Sequence, residues 1–266
     1  MIRTIPIQDM SSISELIMDQ AFDSRVQRYR SSFLYRGIPN EEYHLKTSLQ
    51  RNCKDKQKEV EKCILRNFTK YAATDDPQLK ESLWRQMIIG QHHGLPTRLL
   101  DWTYSPLIGL HFATSGEDLS EMDKHNCVIW KIDIEELNKL LPMKYQEILN
   151  RENAFLFTMD MLEEVVSDVD QYDDELGEDS MVLIEPPSID QRIINQYSYF
   201  SIIPNKIAKI EKFLEDKTSN TVKYVIDKKL RWRVRDMLDH MNMNERIMYP
   251  GLDGLSTWLK RHYFVK

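Results

Sequence analysis

The sequence predicts an α+β fold in which helices flank a central mixed or antiparallel sheet. Two observations lead to this prediction. Strand-like and helix-like segments follow each other along the 266 residues without a strict βαβ rhythm. The chain also contains neither a P-loop nor a GxGxxG motif, which a nucleotide-binding doubly wound sheet usually carries. We expect one domain over residues 1–266, with its core at about residues 30–260.

The first third of the chain supplies four predicted elements. Ser12-Ile13-Ser14-Glu15 has capping-box spacing and predicts a helix from there. Ser32 to Tyr35 predicts a strand that ends in a loop at Arg36-Gly37. Apolar residues at helical spacing predict a helix over residues 57–71. Asp76-Pro77 predicts the start of a further helix that runs towards Gly94.

The later elements follow from the same patterns. Alternating or continuous apolar residues predict strands at 97–102, 127–132, 181–184, 199–203 and 221–226. Capping residues predict helices that begin at 105–106 and 133–136, and residues 190–196 predict a brief helix or turn. Helical spacing predicts helices over 230–241 and 252–264.

Composition limits the kind of protein this is. A hydrophobic fraction of 41% is enough for a packed core. The three cysteines are widely spaced and form no CxxC motif, so we expect neither disulfides nor a structural zinc site. Residues 1–18 contain charges and no long apolar run, so we expect no signal peptide and no membrane span. A soluble, cytoplasmic protein is the expectation.

The net charge of −6 is concentrated in one segment. Ten carboxylates fall between Asp160 and Asp179, and the rest of the chain is slightly basic. We interpret residues 160–180 as a solvated acidic loop or insertion, with a surface for a basic partner as the alternative. The overall balance argues against non-specific duplex binding but leaves a nucleic-acid target open.

Residues 91–103, QHHGLPTRLLDWT, are the most informative stretch of the chain. A buried strand over 97–102 would place Thr97 and Asp101 on one face and Arg98 on the other. Burying such groups is costly unless they are paired or line a cavity. We therefore expect a polar cavity at this strand, of the kind that binds small polar ligands.

Several other residues are candidates for chemistry, each with a structural alternative. Arg36 can clamp a phosphate or carboxylate, although an Arg-Gly pair is often structural. His92 can donate to a ribose or carbonyl, or cap a helix; no third or fourth ligand is nearby, so we expect no metal. Glu185 lies at a strand end, either in a site or in solvent, and residues 191–196 offer amides and Arg192.

These motifs, in this order, resemble the FRG domain, a bacterial and phage family named for its aromatic-Arg-Gly signature. Tyr35-Arg36-Gly37 is similar to that signature, and residues 91–113 are similar to the long central motif of the family. Arg192, Gln196 and Phe200 resemble its later Arg-Gln-Phe element, although Tyr197-Ser198-Tyr199 stands where the family usually has Gly. Residues 250–255, PGLDGL, resemble its C-terminal tail, so the resemblance spans about residues 33–259.

The order of these segments is also similar, at the level of the fold, to ADP-ribosyltransferases. This resemblance implies NAD as the substrate and a macromolecular acceptor, protein or nucleic acid. It implies a role in toxin–antitoxin or phage-defence systems, with an antitoxin or chaperone as a further partner. The implied catalytic residues are Arg36, His92, Asp101, Glu185 and Gln196. The implied NAD-binding residues are Tyr35, Arg36, Gly37, His92, Thr97, Arg98 and Arg192.

In this hypothesis Arg36 holds the pyrophosphate, His92 and Thr97 lie near the ribose, and Asp101 orients neighbouring side chains. Either Glu185 or Gln196 contacts the ribose 2′-OH. The hypothesis requires Arg36, His92, Asp101 and Arg192 to line one cleft. Two alternatives remain: a non-catalytic module that binds a nucleotide or nucleic acid, and a hydrolase using His92 with Asp101, for which no suitably spaced nucleophile is evident.

Overall fold

The computed structural model describes residues 2–116 and 118–266. The fold is α+β, as predicted. Its strands are β1 (Arg3–Ile7), β2 (Ala21–Asp23), β3 (Arg28–Arg30), β4 (Phe33–Ile38), β5 (Leu99–Thr103), β6 (Cys127–Asp133), β7 (Val182–Ile184), β8 (Ser198–Ile202) and β9 (Val222–Ile226). Seven of them form a mixed sheet in the order β1-β9-β6-β4-β5-β8-β7, and β2 and β3 form a separate antiparallel hairpin.

Helices cover both faces of the sheet. In the described residues they are α1 (Met10–Ile17), α2 (Ser48–Cys53), α3 (Gln57–Ala72), α4 (Leu83–His92), α5 (Pro106–Thr114), α6 (Ile134–Lys139), α7 (Met143–Glu152), α8 (Met159–Val165), α9 (Val169–Leu176), α10 (Gln191–Gln196), α11 (Ile210–Lys217), α12 (Arg231–His240), α13 (Glu245–Met248) and α14 (Leu252–His262). None of these helices has the length and apolar character needed to cross a membrane.

The sheet opens between its two central strands. β4 pairs with β6 at six positions, and β5 pairs with β8 at five. Between β4 and β5, in contrast, a single pair joins Tyr35 to Thr103. Beyond this pair the two strands no longer share a ladder, which leaves a gap in the middle of the sheet beside Arg36 and Asp101.

Buried apolar residues form clusters on the two faces of the sheet. On one face, Leu100 and Trp102 pack with α6 and α11. On the opposite face there are two clusters, one under α4 and α7 to α9 that includes Leu99, and one under α1, α5 and α12 that includes Tyr35. Because Asp101 alternates with Leu100 and Trp102, it lies on this second face, between the two clusters.

Several predicted element boundaries are wrong, for local reasons. The first helix begins at Met10, because Asp9 and not Ser12 is its N-cap, and the Asp9 carboxylate accepts from the Ser12 backbone N–H over 2.9 Å. The strand predicted to end before Arg36-Gly37 continues to Ile38, since it remains paired with β6 to that residue.

Two further helix and strand predictions need correction. The helix predicted from Asp76 is divided, because a 3-10 turn at Pro77–Lys80 ends before Ser82 caps α4. The strand predicted at 97–102 is β5, which begins at Leu99, two residues later than predicted. The Thr97 backbone N–H donates to the Ser48 hydroxyl instead of pairing within the sheet. β1, the β2–β3 hairpin, α2 and α7 were not predicted.

The acidic segment is not a solvated loop. Residues 159–176 form α8 and α9, and their apolar side chains lie in the cluster beneath α4. The buried Tyr172 hydroxyl donates to the Ile202 carbonyl over 2.7 Å. The carboxylates are spaced so that Leu162 in α8, and Val169 and Leu176 in α9, still give each helix an apolar face, which the high charge of the segment obscures.

Candidate functional site

A cleft of about 300 Å³ lies at the gap between β4 and β5. Its walls include Arg36 and Gly37 from β4, Asp101 from β5, and Arg192 and Gln196 from α10. The structure thus brings together residues from three predicted motifs that are up to 160 positions apart in the chain. A pocket of this size is at the lower end of the range for small-molecule sites.

Arg36 is the main charged group of this cleft. Its Nη1 donates to the Asp101 backbone carbonyl over 2.7 Å and lies 3.5 Å from the Asp101 carboxylate. Its Nε is buried and has no hydrogen-bond partner among the described residues. Burial lowers the pKa of Arg36 below its ordinary value, and Asp101 only partly opposes this. A guanidinium with an unused donor and one distant carboxylate is well suited to bind an anionic ligand.

A chain of hydrogen bonds leads from the core to this arginine. The Thr97 hydroxyl donates to the Gln91 amide oxygen over 2.7 Å. The Gln91 amide nitrogen donates to the Asp101 carboxylate over 3.0 Å. Asp101 in turn contacts Arg36. Thr97 is buried and does not line the cleft, so it acts on the site only through Gln91.

His92 does not line the cleft and instead joins α4 to α10. Its Nε2 is paired with the Asp190 carboxylate, and its backbone carbonyl accepts from Arg192 over 3.4 Å. Burial lowers the pKa of His92 although Asp190 opposes the shift. The requirement that His92 line one cleft with Arg36, Asp101 and Arg192 is therefore not met for His92, which instead anchors the end of α4 to α10.

The segment before α14 contacts two residues of the site, Arg192 and Gln196. The Arg192 guanidinium lies over the Tyr249 ring, 5.2 Å from its centroid. The Gln196 amide nitrogen donates to the Met248 carbonyl over 3.0 Å, and the Thr103 hydroxyl donates to the Gln196 carbonyl over 2.9 Å. Burial raises the pKa of Tyr249. These contacts fix Arg192 and Gln196 at the mouth of the cleft.

Two of the predicted site residues lie elsewhere. Arg98 is 2% exposed and does not line the cleft, and its guanidinium makes four hydrogen bonds to Glu61 and Asp173 in the core. Glu185 is exposed and lines a different cleft, next to the β2–β3 hairpin. The strand predicted at 97–102 suggested Arg98, and a strand-end position suggested Glu185. Neither pattern shows which side of the sheet the cleft occupies.

Tyr35 and Gly37 line the cleft but serve mainly to pack β4 against α5. Tyr35 is 2% exposed and belongs to the cluster beneath α1, α5 and α12. A Cβ on Gly37 would lie 2.1 Å from the Gly109 carbonyl oxygen and 2.3 Å from the Ala113 nitrogen. The predicted close approach at Gly37 is therefore to a helix.

A larger cavity of about 810 Å³ adjoins the cleft, and the two share Pro39 and Ser115 as lining residues. Its floor includes Arg231, which is 3% exposed and donates to the carbonyls of Ser115 and His125. No carboxylate is paired with Arg231 among the described residues. Burial lowers the pKa of Arg231 below its ordinary value.

Sequence reasoning missed Gln91 and Tyr249 as site residues. Gln91 opens the long central motif, and an amide just before a buried polar strand was a usable signal. Tyr249 directly precedes the Pro250-Gly251 turn, and nothing local indicates that it reaches Arg192. No group of metal-ligating side chains occurs within residues 2–116 and 118–266.

Comparison with known families identifies part of this region. Residues 31–122 match the FRG domain, so the chain contains an FRG domain that includes Arg36, Gln91 and Asp101. The match ends before Arg192, Gln196 and the 250–255 tail, for which a resemblance was also expected. No curated protein and no solved structure matches the chain. These comparisons do not show a similarity to ADP-ribosyltransferases.

Proposed function

We propose that this FRG-domain chain is an NAD-dependent enzyme of the ADP-ribosyltransferase type. The observation that carries the proposal is Arg36, a largely buried guanidinium with a free Nε, set in a cleft where the central sheet opens. We place the activity in the cytoplasm, in bacterial toxin or phage-defence systems. The acceptor would be a protein or nucleic acid, and an antitoxin or chaperone would be a further partner.

The chemistry of the proposed reaction matches the groups in the cleft. The bond between the ribose C1′ and the nicotinamide nitrogen breaks, and its electron pair leaves with nicotinamide. The ribose becomes oxocarbenium-like until the acceptor bonds to C1′ and releases its proton. A site for this reaction needs a phosphate clamp and a polar group near the 2′-OH, held in place before the reaction.

The residues of the cleft divide these tasks. Arg36 binds the pyrophosphate, and Asp101, held by Gln91, orients Arg36. Gln196 contacts the 2′-OH through its amide oxygen, because its amide nitrogen is bound to the Met248 carbonyl. Glu185, the other residue considered for this task, lies in a different cleft. His92 and Thr97 act indirectly, by fixing α10 and Gln91.

The space around Arg36 supports a ligand with two halves. The cleft of about 300 Å³ accommodates the nicotinamide ribose, and the adjoining cavity of about 810 Å³ gives room for the adenosine half. The pyrophosphate would then pass the shared residues Pro39 and Ser115, near Arg36.

The test is nicotinamide release from NAD, measured for the full chain, for Arg36→Ala and for Arg233→Ala. Arg233 is an exposed arginine on α12 and provides the matched control. We expect Arg36→Ala to lower the rate at least about a hundredfold, as loss of a transition-state contact does, and Arg233→Ala to leave it unchanged. Melting temperatures show whether the variants are folded.

Two results would contradict the proposal. Equal rates for the wild type and Arg36→Ala would show that Arg36 does not take part in the reaction. Binding of NAD without nicotinamide release, in the presence of protein, RNA or DNA acceptors, would favour the alternative of a non-catalytic nucleotide-binding module.

A further inference from the structure

A second cleft, of about 1010 Å³, lies between the β2–β3 hairpin and the sheet. Aromatic side chains from four segments line it: Phe22, Phe33, Tyr104, Phe155 and Tyr199. Phe22 and Phe155 are 53% and 52% exposed, respectively, which is unusual for large apolar residues. The other three are partly buried, and a cleft that groups five aromatic side chains in this way is typical of a binding site.

One aromatic residue beside this cleft, in contact with two of its tyrosines, is held in a strained conformation. Tyr197 has φ +47° and ψ +52°, in the left-handed region, where a side chain larger than glycine has a steric cost. Its ring is 52% exposed and lies 5.8 Å from that of Tyr104 and 6.1 Å from that of Tyr199. Glycine would adopt this backbone conformation at lower cost, and local strain of this kind is found most often at functional sites.

The hairpin beside the cleft is basic. Residues 21–30 contain three arginines and one carboxylate, Asp23, which is paired with Arg25. Arg28 and Arg30 have no carboxylate partner among the described residues, and both are exposed. Tyr29 between them is 64% exposed.

We propose that this cleft binds single-stranded nucleic acid. Bases would stack on the tyrosine group formed by Tyr104, Tyr197 and Tyr199. Phosphates would lie along Arg30, which lines the cleft, and Arg28, which strand alternation places on the same face of β3. Stacking on exposed rings with a row of arginines beside them is typical of single-strand binding. A duplex hides its base faces and cannot use the rings.

The carboxylates of the cleft fit the same ligand. Glu185 and Glu135 line the cleft, and they would accept hydrogen bonds from the amino groups of bases. They also repel phosphates, which keeps the backbone of the strand on the hairpin side. This binding is independent of NAD and goes beyond the proposed function.

The experiment measures binding of labelled single-stranded RNA and DNA oligonucleotides to the full chain by fluorescence anisotropy, with duplexes of the same sequence for comparison. The decisive variant is Tyr197→Gly. We expect it to weaken single-strand binding at least about fivefold, while its melting temperature stays equal or rises because the strain is relieved. The control is Tyr71→Ala, which removes an exposed tyrosine elsewhere, on α3, and should leave oligonucleotide binding unchanged.

Charge reversal tests the phosphate contacts. The double variant Arg28→Glu and Arg30→Glu should reduce the slope of log affinity against log salt by about 1.4, as expected for two lost phosphate contacts on a single strand. Arg233→Glu is the matched control. The proposal is overturned if duplexes bind as well as single strands, or if Tyr197→Gly binds as tightly as the wild type. It is equally overturned if no oligonucleotide binds, in which case the aromatic surface is a protein-binding one.

Discussion

Nη1 of Arg98 donates to Oδ1 of Asp173 over 2.6 Å, and both side chains are buried. The pair joins the central motif to the acidic segment, which sequence analysis placed in solvent. Glu61 from α3 is also paired with Arg98, so one guanidinium faces two carboxylates. Burial alone would lower the pKa of Arg98, but Glu61 and Asp173 raise it above its ordinary value.

We predict that Arg98→Met lowers the free energy of unfolding by about 3–5 kcal/mol, because it leaves two carboxylates buried without a cation. Asp173→Asn should lower the free energy of unfolding much less, since Glu61 still neutralises Arg98. The asparagine amide oxygen can also still accept a hydrogen bond from the Asn205 backbone N–H. Urea unfolding of the three proteins measures both effects. If Arg98→Met were as stable as the wild type but lost NAD binding, Arg98 would be a ligand residue after all.

The sequence predicts that Arg36, Asp101 and Arg192 lie together, but it does not show which other polar residues of the same motifs are used by the fold instead. Arg36 and Asp101 were expected together because each adjoins a strand end or a buried strand, and they are in contact. Arg98 lies on the same strand segment and looked equivalent. Its partners come from positions 61 and 173, and no local pattern reports contacts between residues so far apart.

Contacts over long sequence distances also explain the errors at the edge of the site. Glu185 follows a correctly predicted strand, but β7 lies at the end of the sheet, two strands from the gap. Tyr249 reaches Arg192 because α13 packs against α10, which the helical periodicity of the sequence cannot indicate. Periodicity predicts which face of a helix or strand is buried, but it does not predict which other element packs against that face.

Gly37 should not tolerate a side chain. Gly37→Ala would place a Cβ 2.1 Å from the Gly109 carbonyl oxygen, which is backbone of α5 and has no room to move. We expect a loss of about 3 kcal/mol in unfolding free energy, the upper range for overpacking. Gly116→Ala is the control, because its Cβ would come no closer than 3.4 Å to Met122. Equal melting temperatures for the two variants would contradict the close packing of α5 on β4.

Stability should fall in mild acid because of His111. Burial, together with Arg235, lowers the pKa of His111 to about 3, whereas in the unfolded chain it is about 6.5. Above pH 6.5 neither state binds the proton. Between about pH 6.5 and 3 only the unfolded state binds it, so stability decreases by up to about 1.4 kcal/mol per pH unit.

The measurement is urea unfolding of the wild type and His111→Asn at about pH 7.5 and pH 5. The asparagine oxygen can still accept from Arg235, which now contacts His111 Nδ1 over 3.1 Å. Between these two pH values, the free energy of unfolding of the variant should fall by about 2 kcal/mol less than that of the wild type. His240→Asn, at an exposed position, should behave as the wild type does. A variant with the same acid dependence as the wild type would show that His111 does not cause it.

Asp101 should compete with an anionic ligand for Arg36. Its carboxylate lies 3.5 Å from the Arg36 guanidinium and is 52% exposed, so solvent weakens the interaction. On the proposed function, Asp101→Asn should bind ADP-ribose about fivefold more tightly, which corresponds to about 1 kcal/mol. Nicotinamide release should nevertheless become slower, because Arg36 loses the group that orients it. Calorimetric titration and the release assay measure the two effects. Asp236→Asn on α12 is the control, and weaker binding by Asp101→Asn would make the carboxylate a direct ligand contact instead.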